Sequence, residues 1–191
     1  MDVNRVYSAA LELQAALGEV RRPYCFIGGL AVQRWGEIRF TQDADATVLT
    51  EFQFDEEVVD QLLARFAARR PDARQIALHQ RVLLLKSSQG VHLDVALGAL
   101  DFEKHAIDRS SFWRVITGDD LRTCSAEDLI VHKAFASRDK DWLDIKGILI
   151  RQGPRLNVGQ ILEELRILEP LSEKEPIIPQ LEALLRKQRL I

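Results

Sequence analysis

Residues 26–49 of this 191-residue chain read FIGGLAVQRWGEIRFTQDADATVL. An apolar run at residues 24–27 predicts a short buried strand, which the glycine pair Gly28-Gly29 ends. Residues 30–35 predict a short helix, and the acidic segment 43–49 predicts a second strand. A strand, a glycine turn, a helix and an acidic strand therefore follow one another closely in the chain.

The acidic strand carries two aspartates, Asp43 and Asp45, two positions apart. Such side chains point to the same face of a strand, about 6.6 Å apart along the backbone. Two carboxylates there repel each other and lose hydration unless a cation lies between them. They could be solvated residues at a strand entrance, but they lead into the apolar residues 46–49. We therefore favour a site for Mg²⁺, which prefers carboxylate and phosphate oxygens and often acts in pairs.

A third aspartate, Asp94, lies in the predicted strand 91–97. Val91, Leu93, Val95 and Leu97 form the apolar face of this strand, so Asp94 projects from the opposite face. If this strand lies beside the strand of Asp43 and Asp45, three carboxylates converge on one spot. Asp94 would then complete a metal site and could take a proton from an acceptor.

The glycine pair and two polar residues near the acids are candidate phosphate ligands. Gly28 and Gly29 permit close approach of a ligand to the backbone, and the N–H groups of a starting helix favour phosphate. Tight turns also need glycine. Arg39 and Thr41 could contact phosphates or orient the carboxylates, and Arg39 could equally form an ordinary ion pair with a nearby acid.

The remaining pattern predicts an α+β fold, in which a mixed β-sheet is flanked by helices and followed by a helical C-terminal region. Residues 1–120 would form the core domain, and residues 121–191 would be helical, with one helix beginning at Ser125. Further elements are predicted as helices at 3–18, 55–68, 140–151, 158–168 and 177–189, and as strands at 76–86, 91–97 and 112–116.

Composition predicts an ordinary globular protein, with 47% hydrophobic and 29% charged residues. The formal net charge is −3, so a nucleic-acid partner would need a local basic surface. Cys25 and Cys124 form neither a disulfide framework nor a zinc motif. The absence of a signal-peptide pattern and of a membrane-spanning apolar run leads us to expect a cytoplasmic protein without a membrane partner.

Taken together, these motifs resemble the polymerase-beta-like nucleotidyltransferase superfamily. The resemblance implies that two Mg²⁺ ions, held by Asp43, Asp45 and Asp94, act on an NTP substrate such as ATP whose phosphates lie against Gly28 and Gly29. One departure concerns the turn, where Leu30 follows the glycines and a serine hydroxyl is missing. The matching residues are Gly28-Gly29-Leu30-Ala31, Gly36, Arg39, Thr41, Asp43, Asp45 and Leu93-Asp94.

The C-terminal part resembles the AbiEii-type toxins, in which a helix with a functional lysine precedes an acidic helix. The matching segments are residues 125–136 and 138–145. The resemblance implies that Lys133 touches nucleotide phosphate and that Asp141 or Asp144 supports the site. From the residues alone, Lys133 would be a surface lysine, and the two aspartates would pair within their own helix, for example with Lys140.

These resemblances lead us to expect an enzyme that transfers NMP from an NTP to an acceptor hydroxyl. An AbiEii-like toxin would act on RNA, for instance a tRNA end, and would have an antitoxin partner. Alternatives are nucleotidylation of a small molecule, as in aminoglycoside and lincosamide resistance enzymes, and a catalytically silent relative that binds nucleotide. A basic surface around the site would favour RNA, whereas an acidic pocket would favour a cationic drug.

Overall fold

The computed structural model of the chain describes residues 3–172 and 176–191. Its backbone contacts define two compact units. The first unit extends to Leu30 and also includes Phe40–Cys124, whereas the second contains Ala31–Arg39 and the chain from Ser125 onward. No helix within these described residues is long and apolar enough to cross a membrane. The predicted domain division after residue 120 stays a prediction.

The first unit contains one seven-stranded mixed sheet. Its strands are β1 (Tyr24–Phe26), β2 (Asp43–Leu49), β3 (Ala67–Ala68), β4 (Val82–Lys86), β5 (His92–Gly98), β6 (Ser111–Arg114) and β7 (Asp120–Thr123). They lie in the order β3-β4-β5-β2-β1-β7-β6. The pairs β2–β5 and β1–β7 are parallel, and the other neighbours are antiparallel.

The helices either pack on this sheet or build the second unit. They are α1 (Val3–Val20), α2 (Gly28–Trp35), α3 (Asp55–Leu63), α4 (Ala73–Gln80), α5 (Asp101–Asp108), α6 (Ala126–Ala136), α7 (Asp139–Gln152), α8 (Val158–Leu168) and α9 (Ile177–Lys187). Two short 3-10 helices, Gly153–Arg155 and Glu169–Leu171, follow α7 and α8. The predicted α+β class, a mixed sheet flanked by helices with a helical C-terminal region, is confirmed.

Alternation along β2 and β5 separates a core face of the sheet from a polar face. Ala44, Ala46 and Val48 of β2 are buried in the same core cluster as residues of α1 and α3. Asp43 and Asp45 of β2 are only half-buried, because the pleat turns them to the opposite face. The hydrophobic core thus fixes which face of the sheet carries the acids.

The second unit is held together by helix packing, and its helix α6 is capped at the N-terminus. Helix α6 packs against α7, α8 and α9. Its N-cap is Ser125, whose Oγ accepts a hydrogen bond from Asp128 N at 3.0 Å and donates one to Asp128 Oδ2 at 2.6 Å. The predicted helix start at Ser125 is therefore confirmed, with an aspartate in the position that glutamate or glutamine usually takes.

Two predicted elements in the first unit are wrong in part. The helix predicted for 55–68 ends at Leu63, because Ala67–Ala68 pair with β4 and form β3. The strand predicted for 76–86 is instead a helix, α4, followed by β4. Arg81 separates the two with a left-handed φ of 58°, a conformation usually marked by glycine or asparagine, so the sequence carried no visible break.

The prediction that only helices follow residues 117–120 is also wrong. Residues Asp120–Thr123 form β7, which pairs with β6 and also extends the sheet beside β1. Four residues with a single apolar alternation are too short to give a periodic signal, and the long-range pairing with β1 decides their conformation.

Candidate active site

Three aspartates lie on the polar face of the sheet in the first unit. In the parallel pairing of β2 and β5, Asp45 is directly opposite Asp94, and Asp43 is opposite His92. Side chains opposite each other on neighbouring strands share a face and lie about 5 Å apart at Cβ. Because Asp43 is two residues before Asp45, it shares that face. We call Asp43, Asp45 and Asp94 the acid cluster.

The electrostatics of Asp94 reflect this crowding. Burial raises the pKa of Asp94, the nearby Arg69 charge opposes that rise, and the negative charge of Asp43 adds to it. The net direction is upward. A carboxyl group with a raised pKa is a better proton acceptor than an ordinary surface aspartate, which suits a general base.

Arg69, which the sequence did not single out, pairs with the third acid. Its Nη2 lies 2.9 Å from Asp94 Oδ1. Even so, Asp94 Oδ1 is buried and makes no hydrogen bond within residues 3–172 and 176–191. The contact is therefore an attraction of charges without a directed hydrogen bond. The polar run after Ala67–Ala68 was a possible signal for Arg69. The position of Arg69 can be deduced, however, only once Ala67–Ala68 is recognised as the strand β3.

Side chains in and beside the acid cluster leave no room for a Cβ atom at either position of the glycine pair. A Cβ at Gly28 would lie 2.6 Å from Asp45 Cγ, and a Cβ at Gly29 would lie 2.8 Å from Thr41 Cβ. Gly28 also has a φ of +59°. Glycine is thus required here by the protein's own side chains, whether or not phosphate binds.

Thr41 orients one of the acids. Its Oγ1 donates a hydrogen bond to Asp43 Oδ1 at 3.0 Å, and its side chain is buried. Of the roles considered for Thr41, this contact corresponds to orienting a carboxylate. The conformation of Asp43 is consequently held from one side before any ligand arrives.

The acid cluster fits a divalent cation by its donor chemistry. No group of three or more His, Cys, Asp or Glu side chains in the described part of the chain is placed to hold a metal ion by itself. Mg²⁺ does not require such a group, because it is usually held by one or two carboxylates together with substrate phosphates. Two half-buried aspartates beside Asp94, whose buried Oδ1 lacks a hydrogen bond, offer oxygen ligands of that kind.

The other predicted residues, Arg39, Lys133, Asp141 and Asp144, lie in the second unit. Lys133 is buried, and its Nζ lies 2.9 Å from Asp141 Oδ1 and 2.7 Å from Asp144 Oδ2. Arg39 binds Asp144 through two nitrogens, with Nε–Oδ1 at 2.7 Å and Nη2–Oδ2 at 2.8 Å. We call these four residues, together with Arg138, the buried aspartate network.

Arg138 completes this network from the start of α7. Its Nη2 donates to Asp141 Oδ1 at 3.2 Å, and its Nε donates to Asp141 Oδ2. Arg138 begins the segment 138–145 that resembles the AbiEii-type toxins, but no role was predicted for it. Its position three residues before Asp141 was a possible signal. With Arg39 and Lys133 included, three cationic side chains surround two carboxylates.

These contacts decide between the alternatives drawn from the residues alone. Lys133 is not a surface lysine, since its side chain is only 6% exposed. Asp141 pairs locally with Arg138 at the start of α7, but both aspartates also reach Lys133 on α6, and Asp144 reaches Arg39. Arg39 forms the ion pair that was one of its two expected roles. A phosphate contact of Lys133 stays a prediction.

Both network aspartates are charged at neutral pH. Burial alone raises the pKa of Asp141, but the hydrogen bonds from Arg138 and Lys133 outweigh it, and the net shift is downward. The pKa of Asp144 is lowered in the same way by Arg39 and Lys133 against burial. Each aspartate therefore stabilises the fold above its unfolded pKa of about 4, and this contribution is lost as the pH falls through the folded pKa.

We predict that Gly28→Ala destabilises the protein and disturbs Asp45. The left-handed φ alone costs a non-glycine residue about 1–2 kcal/mol, and the new methyl group would overlap the Asp45 carboxylate. Gly18→Ala is the matched control, because a Cβ there meets no atom within 4 Å and alanine favours the helix. Urea unfolding should show a loss for Gly28→Ala alone; equal stability of the two variants would contradict the description of this turn.

We also predict that Lys133→Met lowers the free energy of unfolding by about 3–5 kcal/mol at pH 7, because it leaves two buried carboxylates with less compensating charge. Lys140→Met, at an exposed position of α7, should change it little. Without the ammonium group, the pKa values of Asp141 and Asp144 rise. Acid unfolding followed by circular dichroism should therefore begin at a higher pH in Lys133→Met than in the wild type, and an unchanged onset would contradict the proposed charge balance.

Comparison with known proteins adds evidence on the fold. No protein-family model matches the sequence, and no curated protein matches it. Among solved structures, the antibiotic-resistance factor ANT(2'')-Ia is 19% identical, with 100% of both chains covered and a TM-score of 0.56. An antigenic nucleotidyltransferase-like protein from Paracoccidioides brasiliensis is 17% identical, with 94% of this chain and 91% of the other covered and a TM-score of 0.50.

A third match is the lincosamide antibiotic adenylyltransferase LnuA in a lincomycin-bound crystal structure. It is 15% identical over 74% of this chain and 94% of its own length, with a TM-score of 0.49. At such low identities, the first two likenesses concern the fold. The chain has the mixed-sheet fold of nucleotidyltransferase-like proteins.

Proposed function

We propose that this chain is a Mg²⁺-dependent nucleotidyltransferase, which moves NMP from an NTP to an acceptor hydroxyl and releases pyrophosphate. The observation that carries the proposal is the acid cluster, in which the parallel register of β2 and β5 sets Asp45 opposite Asp94 and beside Asp43. The fold shared with nucleotidyltransferase-like structures supports the same reaction class.

In this proposal, Asp43 and Asp45 hold the metal ions, and Asp94 completes the site on the acceptor side. Bound there, Mg²⁺ supplies positive charge that neutralises the triphosphate and the leaving pyrophosphate. The Thr41 hydroxyl keeps the Asp43 carboxylate in place. The backbone N–H groups that follow Gly28 at the start of α2 favour phosphate oxygens. Catalysis comes mainly from positioning and from charge neutralisation.

Asp94 acts as the proton acceptor. As the acceptor oxygen forms a bond to the α-phosphorus, its proton passes to an Asp94 oxygen, and the bond from the α-phosphorus to the β-phosphate oxygen breaks. Burial and the charge of Asp43 raise the pKa of Asp94, and this raises its affinity for that proton. The products are the nucleotidylated acceptor and pyrophosphate.

The buried aspartate network is proposed to support nucleotide binding. The resemblance to AbiEii-type toxins assigns a phosphate contact to Lys133 and a supporting role to Asp141 or Asp144. What favours the supporting role is that both aspartates contact Lys133 Nζ. The two aspartates would hold the Lys133 ammonium group in one position and restrict its mobility.

The acceptor is proposed to be RNA, for example a tRNA end, in a toxin that has an antitoxin partner. Support comes from basic residues on the face of the acid cluster. Lys86 of β4 is opposite His92 of β5, and both residues are exposed. Each lies two residues along its strand from the Leu84–Asp94 pair, and therefore on the same face of the sheet. Lys86 and Arg69 offer positive charge to an acceptor phosphate beside Asp94.

A second candidate acceptor is a small molecule. The specific observation in its favour is the fold likeness to the antibiotic-resistance factor ANT(2'')-Ia, which covers the whole of both chains. A silent relative that only binds nucleotide is disfavoured, because all three acids are present on one face.

We predict that Asp43→Asn or Asp45→Asn lowers NMP transfer by about 10³-fold, the size expected when one preorganised electrostatic contact is lost from a transition state. Removing one charge from a crowded acidic site should not destabilise the fold. Pyrophosphate release with Mg²⁺ and each NTP measures the reaction, and urea unfolding checks the fold. Asp101→Asn, at an exposed position, is the control. Wild-type turnover in Asp43→Asn would remove this function from the acid cluster.

The acceptor is tested by incubating the protein with α-³²P-labelled NTPs, Mg²⁺ and either total RNA or an aminoglycoside and lincosamide mixture. We expect label in RNA and expect Lys86→Glu to reduce it, because the basic flank would then repel the acceptor. Label in the small molecules alone would favour the second candidate. Asp43→Asn serves as the background in both incubations.

A further inference from the structure

Arg69 lies in a row of residues that crosses the polar face of the sheet. Ala68 of β3 is paired with Leu85 of β4, so the next residue, Arg69, lies beside Leu84. The backbone N–H of Arg69 donates a hydrogen bond to Leu84 O at 3.0 Å. Leu84 is opposite Asp94, and Asp94 is opposite Asp45. Residues level with one another in a sheet share a face, so Arg69 and the acids point to the same side.

The side chain of Arg69 spans a strand to reach the acid cluster. Two strand spacings, about 9.6 Å, separate its backbone from that of Asp94, and the guanidinium passes across Leu84 to come within 2.9 Å of Asp94 Oδ1. The neighbouring Arg70 behaves differently, since its guanidinium binds Asp72 at the surface. The Arg69 side chain is thus directed toward the acid cluster, whereas that of Arg70 is not. In this position, the side chain of Arg69 is only 18% exposed.

The position of Arg69 places it in competition with a metal ion. Asp94 Oδ1 is the oxygen that Arg69 approaches, and it lacks a directed hydrogen bond in the described parts of the chain. A divalent cation bound by Asp94 would therefore meet the guanidinium at close range, where like charges repel strongly. Metal binding and the Arg69–Asp94 pair thus oppose each other, and each weakens the other to the same extent.

We propose that Arg69 is the counter-ion that Asp94 exchanges for a divalent cation. Without the metal, Arg69 holds the Asp94 carboxylate on the polar face and offsets its repulsion from Asp43 and Asp45. When the metal binds, Arg69 gives up this contact, so it is a positioning residue that weakens and tunes metal affinity. The inference rests on the proposed function, because it takes the acid cluster to be the metal site.

The test is a titration with Mn²⁺ alone, in which electron paramagnetic resonance measures the free ion in the absence of NTP. We expect Arg69→Gln to bind Mn²⁺ about tenfold more tightly than the wild type, since one close positive charge is removed. Arg69→Lys keeps the charge on a shorter side chain and should be intermediate. Arg70→Gln is the matched control, with the same loss of charge one residue away, and should stay within about twofold of the wild type.

Two further measurements separate this role from a merely structural one. In the Asp94→Asn background, Arg69→Gln should leave Mn²⁺ affinity unchanged, because the contact through which it acts is gone. Without metal, Arg69→Gln should lower the melting temperature, and saturating Mn²⁺ should raise it by more than in the wild type.

The outcomes are distinguishable. If the wild type binds Mn²⁺ and Arg69→Gln binds it no more tightly than Arg70→Gln, the inference about Arg69 is overturned and the proposed function stands. If neither the wild type nor any variant binds Mn²⁺ alone, the inference is overturned, whereas the proposed function is overturned by wild-type pyrophosphate release in Asp43→Asn. Tighter binding in Arg69→Gln that persists in the Asp94→Asn background would also overturn the inference, since the effect would not pass through Asp94.

Discussion

The repulsion among three carboxylates on one sheet face is the constraint around which the first unit is arranged. The parallel pairing of β2 and β5 sets Asp45 opposite Asp94, and the core on the other face prevents these strands from turning the acids away. Neighbouring residues compensate or accommodate the negative charge of each acid in a different way. Arg69 partly neutralises Asp94, the Thr41 hydroxyl holds Asp43, and Gly28 leaves room for Asp45. A site of this kind is prepared to accept positive charge.

The second unit contains buried charges of both signs, which compensate one another. Lys133 contacts Asp141 and Asp144, Arg39 binds both carboxylate oxygens of Asp144, and Arg138 binds both of Asp141. Fully paired buried charges contribute less to stability than their number suggests, because desolvation offsets much of their attraction. Their effect is instead to fix α6, α7 and the segment of Arg39 in one arrangement. Rigidity of this kind favours a precisely placed ammonium group over a mobile one.

Local patterns predicted the parts of the site that lie on regular strands. The alternation around Asp43, Asp45 and Asp94 was sufficient to assign all three to a polar face, because the strand period of two is visible in the sequence. The pairing of β2 with β5, which brings the acids together, does not follow from the sequence pattern. The roles of these residues as metal ligands stay predictions.

What the sequence did not predict depends on long-range pairing. Ala67 and Ala68 favour a helix by propensity, but they form β3 because β4 offers a free edge. Arg69 gains its position from that pairing, so its contact with Asp94 was invisible in the sequence. Lys133 was misjudged as a surface residue for a similar reason, since its partners lie in another helix.

The register of β5 has a consequence for folding as well as for chemistry. A slip of one residue would turn Leu93 and Val95 toward solvent and drive the Asp94 carboxylate into the apolar core. Burying an unpaired carboxylate is so costly that the misaligned strand would be strongly disfavoured. Asp94, which the proposed reaction needs, therefore also helps to fix the register in which β5 joins the sheet. A neutral apolar residue in its place would no longer disfavour the misaligned strand.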